Sequence, residues 1–411
     1  MISKKKFLHK VLVSKKKYFY PLLKKGLYKK DLNEGVKILK SGNITMGNKT
    51  LFFEKKFART LKVKHALMVN SGSSANLLSI FASGNPLRKN RFKKGDTAII
   101  QSLCWSTSLW PLVQAGLKIK FIDIDPNTLN VNAINLISKI TKRTKVVMLV
   151  NVLGLSADIF KIRNFCKKKR IILIEDNCES LGSKYKNKFM GTFGEFGTFS
   201  FFYSHQITSG EGGMIVCNDK KDYNILKSLR SHGWSRDYED AKKFPNLDPR
   251  YIFLNSGFNV KPMDVQAAIA NNQFNKLNKF KKIRKKNRQK IINILKKDKR
   301  WKDQFNFIET PKEIDPSFMV FPILLNKKYK NKKKQFINYI ESKGLETRPI
   351  ISGSFPSQPS TKLYNLNSSN ERFKGSETIQ SLGFVIGLYT QHITGSELKF
   401  IRETLFIIDE L

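Results

Sequence analysis

Short apolar runs alternate with longer amphipathic stretches between about residues 60 and 220 of the chain. The runs are rich in β-branched residues, which is typical of strands buried on both faces of a parallel sheet. The segments between them are long enough to form crossover helices. The pattern therefore predicts an α/β doubly wound fold, with a mostly parallel sheet flanked by helices. The predicted strands are 66–69, 97–100, 119–122, 146–150 and 171–174.

The same pattern predicts a division of the chain into three segments. Residues 1–45 are basic and helical in character, and we expect them to pack with a small C-terminal domain. A large domain, residues 46–280, contains the predicted parallel sheet. One long helix over about 264–298 leads into a small α/β domain, residues 281–411, in which 318–325 is a predicted strand.

The composition indicates a globular chain. Its 411 residues are 40% hydrophobic and include 31 phenylalanines, which is enough for a sizeable core. No run approaches the roughly 18 apolar residues of a membrane span, and the apolar stretch in the basic N-terminus is too short for a signal peptide. We therefore expect a cytoplasmic protein with no membrane partner.

Four cysteines occur at spacings that match no zinc or iron–sulfur pattern. A disulfide framework is implausible in a chain of this length. We expect the four thiols to be reduced and structural, and we expect no bound metal. The four are Cys104, Cys166, Cys178 and Cys217.

The net charge of the chain is +44, from 76 lysines and arginines against 32 acidic residues. Such an excess can indicate nucleic-acid binding. The lysine runs are scattered, however, and are not interleaved with a recognisable nucleic-acid motif. We therefore interpret the charge as a lysine-rich composition spread over solvated surfaces. It still favours anionic ligands such as a sugar nucleotide.

Three features follow the predicted strands at positions where parallel sheets bind ligands. Small residues at 70–76 open an apolar helix, where backbone N–H groups can either approach a phosphate or form a plain helix cap. Trp105 is either a core residue or an aromatic contact for a ligand. Asp176 ends an apolar strand, where an unpaired carboxylate would be costly, so it either has a functional partner or caps a helix.

Residues 197–213, GTFSFFYSHQITSGEGG, resemble the segment that carries the cofactor lysine in the DegT/DnrJ/EryC1/StrS sugar-aminotransferase family of pyridoxal 5′-phosphate (PLP) enzymes. The resemblance extends from about residue 41 to 387 and implies the aspartate-aminotransferase-like fold, fold type I. In most of the family a lysine stands where His205 stands here. A lysine can bond covalently to PLP, whereas an imidazole cannot but can move protons near neutral pH. The resemblance thus implies an enzyme that binds PLP or pyridoxamine phosphate without a covalent link and uses His205 as its catalytic acid–base.

The resemblance also implies cofactor contacts. Ser73, Ser74 and Ser200 match residues that hold the phosphate in the family. Trp105 matches an aromatic residue stacked on the pyridine ring. Asp176 matches the carboxylate that pairs with the pyridine nitrogen and keeps it protonated, so that the ring can accept electrons.

Further contacts implied by the resemblance concern a second subunit and the substrate. Asn259 matches a residue that reaches the neighbouring subunit's phosphate, which implies a homodimer with shared sites. His232, Arg236, Lys261 and Glu346 are candidate substrate contacts, and a surface charge or a local ion pair is the alternative for each. Relatives carry arginine at the position of Lys261, and lysine keeps that charge without the bidentate fork.

Among relatives with a histidine, the segments 201–205 and 346–349 resemble the 3-dehydratases of deoxysugar biosynthesis. The implied reaction removes the C3 hydroxyl from a GDP-linked or other nucleotide-linked 4-keto-6-deoxy sugar. GDP-4-keto-6-deoxy-D-mannose is the substrate that we expect. L-Glutamate is the implied amino donor, and 2-oxoglutarate and ammonia are released. Another branch acts on CDP-sugars and needs four clustered cysteines for an iron–sulfur cluster, but only Cys217 follows His205 here.

Two alternatives from other functional classes stay open at the level of sequence. A sugar-nucleotide aminotransferase would need a lysine that reaches the cofactor from elsewhere in the chain. A catalytically inactive regulator or basic nucleic-acid binder would be favoured by loss of the cofactor residues. Asp176 and the three serines are present, which favours an enzyme.

Overall fold

A computed structural model describes residues 18–235, 244–366 and 371–411. Its largest sheet has seven strands, numbered here along the chain. In spatial order they are β1 (His65–Val69), β9 (Gly213–Cys217), β8 (Phe196–Ser200), β5 (Ile172–Asp176), β4 (Thr144–Val150), β2 (Thr97–Gln101) and β3 (Lys118–Ile122).

The sheet is mostly parallel, as the apolar runs predict. Strands β8, β5, β4, β2 and β3 pair in parallel, and only β9 runs antiparallel to its neighbours β8 and β1. All five predicted strands are present. Every residue of β5 is buried, which explains the continuous apolar run in its sequence. The strand ends with two acidic residues, Glu175 and Asp176. Because β1 and β8 are both antiparallel to β9, β1 runs in the same direction as the five parallel strands. The carboxyl-terminal ends of these six strands therefore lie along one edge of the sheet.

Helices cover both faces of this sheet. On one face, the rings of Phe53, Phe57, Phe201 and Phe274 pack at centroid distances of 5.1–6.1 Å. The larger core lies on the other face and continues into the C-terminal part of the chain. The helices up to this point are α1 (Lys29–Ser41), α2 (Asn48–Leu61), α3 (Gly72–Ser83), α4 (Ser106–Gln114), α5 (Ala133–Ser138), α6 (Ile159–Lys169), α7 (Lys220–Arg230) and α8 (Asp264–Phe274).

The predicted single helix over 264–298 is wrong. The structure has α8, a break at Asn275 and Lys276, and then α9 (Leu277–Lys296). At the break the Lys276 amide bonds to the Gln273 carbonyl oxygen, which tightens the last turn of α8 to a 3₁₀-like spacing. The break contains no proline or glycine, so it lacks the residues that usually mark the end of a helix.

The C-terminal part forms a smaller α/β unit. Its antiparallel sheet consists of β10 (Phe305–Phe307), β12 (Val320–Leu325) and β13 (Gly383–Gly387), and β12 is the strand predicted over 318–325. A further small sheet joins β11 (Ile314–Asp315), β6 (Lys184–Tyr185) and β7 (Lys188–Phe189). The helices of this unit are α10 (Lys333–Ser342), α11 (Pro359–Leu363), α12 (Lys374–Leu382) and α13 (Gly395–Phe406).

The N-terminal segment contacts both parts of the molecule. The Tyr20 hydroxyl donates to the carbonyl oxygen of Gly387, the last residue of β13, at 3.0 Å. The buried Asp31 carboxylate of α1 accepts from Asn272 and Gln273 of α8, each at 2.6 Å. The three-segment division stays a prediction, but these contacts tie residues 18–41 to the sheet-bearing unit as well as to the smaller one. In the described ranges, no helix combines the length and apolarity needed to cross a membrane.

Candidate active site

The carboxyl-terminal edge of the large sheet brings most of the predicted cofactor residues together. Gly72 and Ser73 begin α3 directly after β1, and Trp105 precedes α4 after β2. Asp176 and Ser200 are the last residues of β5 and β8. Because parallel strands end at the same edge, residues far apart in sequence meet there.

Asp176 has a buried carboxyl group at this edge, with 3% of the residue's surface exposed. Its Oδ2 atom accepts hydrogen bonds from Asn76 Nδ2 and Ser108 Oγ, both at 2.7 Å, and its Oδ1 atom accepts from the Cys178 amide at 3.0 Å. Thr198 orients Asn76 by donating to its Oδ1 atom at 2.6 Å. These donors stabilise an ionised carboxylate in a fixed orientation, which suits a protonated ring nitrogen as partner. The alternative of a plain helix cap does not account for this network.

Sequence reasoning missed Asn76 and Ser108, which hold Asp176 in place. Both lie on mostly apolar helices, α3 and α4, and both are buried. A buried polar residue on an apolar helix face is the one signal that could have identified them, because such a group needs a hydrogen-bonding partner.

The start of α3 forms a cradle against the end of β8. A Cβ atom on Gly72 would lie 2.5 Å from the Ser200 Cβ atom, so only glycine permits this approach. Ser71 caps the helix, because its side chain accepts from the Ser74 amide at 3.1 Å. The cap thus uses Ser71 and leaves Ser73 exposed. The helix cap at Ser71 is compatible with the predicted phosphate site, because the capped helix end still presents Ser73 and its backbone amides to an anion.

Trp105 has 56% of its surface exposed, which excludes the alternative of a core tryptophan. The next residue upstream, Cys104, is fully buried and anchors the turn. Its carbonyl oxygen accepts a hydrogen bond from the Ser352 hydroxyl at 2.7 Å. The anchored turn places an apolar ring at the sheet edge, where a planar ligand can stack on it.

His205 lies in the loop after β8 and is half-buried. Among the described residues its Nδ1 atom is buried without a hydrogen-bond partner, and the Phe202 ring lies 5.7 Å from its ring in an edge-to-face arrangement. Burial lowers the pKa of His205 to about 4; the Ser200 backbone and the Asp176 charge oppose this shift, and the Arg284 charge adds to it. The imidazole is therefore neutral near pH 7 and can accept a proton.

Glu179 and Gln206, neither predicted from the sequence, line the same loop. Burial first, and then the Asp176 charge, raise the pKa of the Glu179 carboxyl to about 7, while a hydrogen bond from the Leu153 amide opposes the shift. The Gln206 side chain donates to the carbonyl oxygens of Glu179 and, at 3.0 Å, of Ser317. Glu179 lies three residues after Asp176, which ends a buried strand. This position is the signal in the sequence that could have identified Glu179.

Three of the predicted substrate or partner-phosphate residues form one exposed cluster. Lys261 Nζ lies 3.0 Å from His232 Nε2 and donates to Asn259 Oδ1 at 2.7 Å. The same ammonium lies 5.6 Å from the centroid of the Trp234 ring. The cluster concentrates cationic and polar groups suited to an anionic ligand. Arg236 lies outside the described residues.

Glu346 is not brought into this cluster. Its Oε2 atom accepts from the Leu22 amide at 2.8 Å, and its Oε1 atom pairs with Arg348 Nη2 at 2.9 Å. The structure thus contains the local ion pair that the sequence left open as an alternative. A substrate contact by Glu346 stays a prediction.

The four cysteines are free thiols. Within the described ranges, no group of three or more histidine, cysteine or acidic side chains is placed to hold a metal ion. The donor set at the sheet edge instead fits a phosphorylated pyridine. The cradle at Gly72 matches a phosphate, the Asp176 carboxylate matches a protonated ring nitrogen, and the Trp105 ring matches a planar face.

Comparison with known proteins agrees with this assignment. The model of the DegT/DnrJ/EryC1/StrS aminotransferase family matches residues 26–405. The GDP-4-keto-6-deoxy-D-mannose 3-dehydratase of Escherichia coli O55:H7 is 36% identical over 375 residues, which are 90% of this chain and 94% of that protein.

Solved structures show the same similarity. The E. coli GDP-4-keto-6-deoxy-D-mannose-3-dehydratase with bound hydrated PLP matches with a TM-score of 0.86 and 34% identity, over 95% of this chain and 100% of that one. A GDP-4-keto-6-deoxymannose-3-dehydratase with a trapped PLP-glutamate geminal diamine matches with a TM-score of 0.85 and 33% identity, over 94% and 100% of the two chains. The predicted aspartate-aminotransferase-like fold is confirmed, and the chain belongs to the DegT/DnrJ/EryC1/StrS aminotransferase family.

Proposed function

We propose that this protein is a PLP-dependent 3-dehydratase. It removes the C3 hydroxyl from a nucleotide-linked 4-keto-6-deoxy sugar, with GDP-4-keto-6-deoxy-D-mannose as the first candidate and L-glutamate as amino donor. The observation that carries the proposal is His205, a neutral imidazole at the position of the family's lysine, beside an otherwise complete cofactor site. The activity named for the E. coli relative supports the sugar, and the trapped PLP-glutamate adduct in the similar structure supports the donor.

PLP, when bound, supplies an electron-accepting ring and carries the amino group taken from glutamate. In our proposal Ser73, Ser74 and Ser200 hold its phosphate at the cradle formed by the start of α3. Asp176 binds the ring nitrogen and Trp105 covers one ring face. Residues 191–213 contain no lysine, so this segment offers no covalent anchor, and these contacts hold the cofactor.

His205 moves the proton in this proposal. Its neutral imidazole takes a proton from the C4′ atom of the cofactor. It then gives this proton to the oxygen that departs from C3 of the sugar, so that the hydroxyl leaves as water. The low pKa of His205 keeps the imidazole neutral at pH 7, so that it is free to accept the proton, and it makes the imidazolium that forms a better proton donor than a free imidazolium. Hydrolysis afterwards releases the 3-deoxy-4-keto sugar and ammonia.

We further propose that the enzyme works as a homodimer with shared sites. Helix α1 exposes an apolar stripe at Leu32, Val36 and Leu39, which are 44–56% exposed in the single chain. Such a stripe is unusual on a monomer and is typical of a surface that another chain covers. The exposed cluster at Asn259 is then available to the neighbouring subunit's phosphate, and His232, Arg236, Lys261 and Glu346 are the proposed sugar-nucleotide contacts.

The test is mass spectrometry of the nucleotide product, with ammonia assayed in the same reaction. The purified protein is incubated with PLP, L-glutamate and GDP-4-keto-6-deoxy-D-mannose. A product that lacks the C3 oxygen, with ammonia released, is the expected result. A product that has gained an amino group would identify an aminotransferase instead, and the His205→Asn variant serves as the inactive control.

A further inference from the structure

We propose that Arg284 is a positioning residue that fixes His205 for proton transfer. Arg284 lies on α9, and its guanidinium donates to three backbone carbonyl oxygens. Nη2 bonds to His205 at 3.2 Å, Nη1 to Gln206 at 2.9 Å and Nε to Leu388 at 3.0 Å. The inference rests on the proposed role of His205 as the acid–base.

The environment of Arg284 is unusual for an arginine. Its side chain is 2% exposed, and within the described residues no carboxylate lies at ion-pair distance from it. A buried cation without an anionic partner is costly, and carbonyl dipoles offset only part of that cost. Burial accordingly lowers the pKa of the guanidinium to about 10, which still leaves it charged at neutral pH. A buried cation that bonds to the backbone of the candidate catalytic loop indicates a function there.

The first consequence is geometric. Two successive carbonyl groups bonded to one planar guanidinium fix the orientation of the peptide that joins His205 to Gln206. The Gln206 side chain further ties this residue to the Ser317 carbonyl oxygen at 3.0 Å. Leu388 directly follows β13, so Arg284 also links this loop to the smaller unit. A displacement of about 1 Å at a catalytic group can cost about 100-fold in rate.

The second consequence is electrostatic. The Arg284 charge acts with burial to hold His205 in its neutral form, while the Asp176 charge acts in the opposite direction. Arg284 therefore affects both where the imidazole lies and whether it is charged.

Two variants separate these effects. Arg284→Gln removes the charge, whereas Arg284→Lys keeps the charge but cannot bond to three carbonyl groups in one plane. Arg288→Gln is the matched control, because Arg288 is a largely buried arginine one turn further along α9. It donates to the Ile308 carbonyl oxygen at 2.8 Å, away from the His205 loop.

The first measurement is an NMR titration of the purified protein with labelled histidine, in which the His205→Asn variant identifies the His205 signal. The second is kcat and KM for the dehydration. In Arg284→Gln the His205 midpoint should move upward from about 4, and kcat should fall about 10- to 100-fold with little change in KM. In Arg284→Lys the midpoint should stay near that of the wild type while kcat still falls about tenfold.

An unchanged His205 midpoint in Arg284→Gln would overturn the inference, as would an equal loss of kcat in Arg288→Gln. If Arg284→Gln does not fold, Arg284→Lys decides, because wild-type kcat in that variant would exclude a positioning role. The titration needs no turnover. A wild-type enzyme without dehydratase activity would contradict the proposed function, while the coupling of Arg284 to His205 would still be measured.

Discussion

His205 lies in a loop where the protein, rather than the solvent, sets its protonation state. Burial lowers the pKa of the imidazole to about 4, so the neutral form prevails at pH 7. A lysine at this position would offer the cofactor an amine from the protein itself. The side chain at position 205 therefore decides whether the protein can hold PLP through a covalent bond or only through non-covalent contacts.

We predict that His205→Lys abolishes dehydration and makes PLP attach covalently to the protein. The new amine would lie in the loop that follows Ser200, at the position that the resemblance aligns with the family's lysine. Intact-protein mass spectrometry after borohydride reduction would detect the covalent PLP. His392→Lys, at an exposed histidine, is the control and should do neither. Dehydratase activity retained in His205→Lys would contradict the role given to His205.

Glu179 gives the folded protein a specific pH dependence. Its pKa is raised from 4.5 to about 7, chiefly by burial, so between these values the folded state binds more protons than the unfolded state. The contribution of this carboxyl group to the free energy of unfolding therefore decreases as the pH rises through that window. Above about pH 7 the folded protein bears the full cost of a buried carboxylate.

We predict that Glu179→Gln becomes more stable relative to wild type as the pH rises from about 5 to about 8. The expected gain is on the order of 1–2 kcal/mol after allowance for solvent screening, because glutamine carries no charge to desolvate. Denaturant unfolding of both proteins at the two pH values measures it. Glu309→Gln, at an exposed glutamate, is the control. A difference for Glu179→Gln that does not change with pH would show that the carboxyl is not perturbed as described.

At the scale of elements, the predictions succeeded where the signal was local. The strand β5 and its terminal Asp176 follow from one apolar run that ends in an acidic residue. The partners of that carboxylate could not be predicted in the same way, because Asn76 and Ser108 lie 100 and 68 positions away from it. Arg284 gave no signal either, since its three bonds go to backbone carbonyl groups and reflect only tertiary packing.

The start of α3 gives a prediction about the contact between a helix and a strand. Gly72→Ala places a Cβ atom 2.5 Å from the Ser200 Cβ atom, which must push the helix end away from β8. We expect a loss of about 1–3 kcal/mol in unfolding free energy and weaker binding of PLP, measured by denaturant unfolding and by absorbance titration.

Gly395→Ala is a matched control for that substitution. Gly395 is also the first residue of a helix, α13, but a Cβ atom there would meet nothing within 4 Å. Because alanine is favoured over glycine in a helix, this variant should be as stable as the wild type or slightly more stable. Equal PLP affinity in Gly72→Ala and the wild type would contradict the phosphate cradle.

At the scale of the whole molecule, charge and apolar surface act against each other. Two copies that each carry a net charge of +44 repel at long range, so their association should strengthen as salt screens that repulsion. The apolar stripe on α1 supplies the attraction in the proposed homodimer. Its residues recur at the spacing of one helical face, whereas Ile38 on the opposite face is buried in the core.

We predict that Val36→Lys separates the proposed homodimer into 47.4 kDa chains and lowers dehydratase activity. A lysine in the middle of the stripe adds a charge that must be desolvated on association, and it adds to a repulsion that is already large. The activity falls because the cluster at Asn259 then loses the neighbouring subunit that it is proposed to serve. Analytical ultracentrifugation at low and high salt measures the association. Ile134→Lys, at an exposed apolar residue of α5 outside the stripe, is the control and should leave the mass unchanged. A Val36→Lys protein that keeps the wild-type mass and activity would place the interface elsewhere.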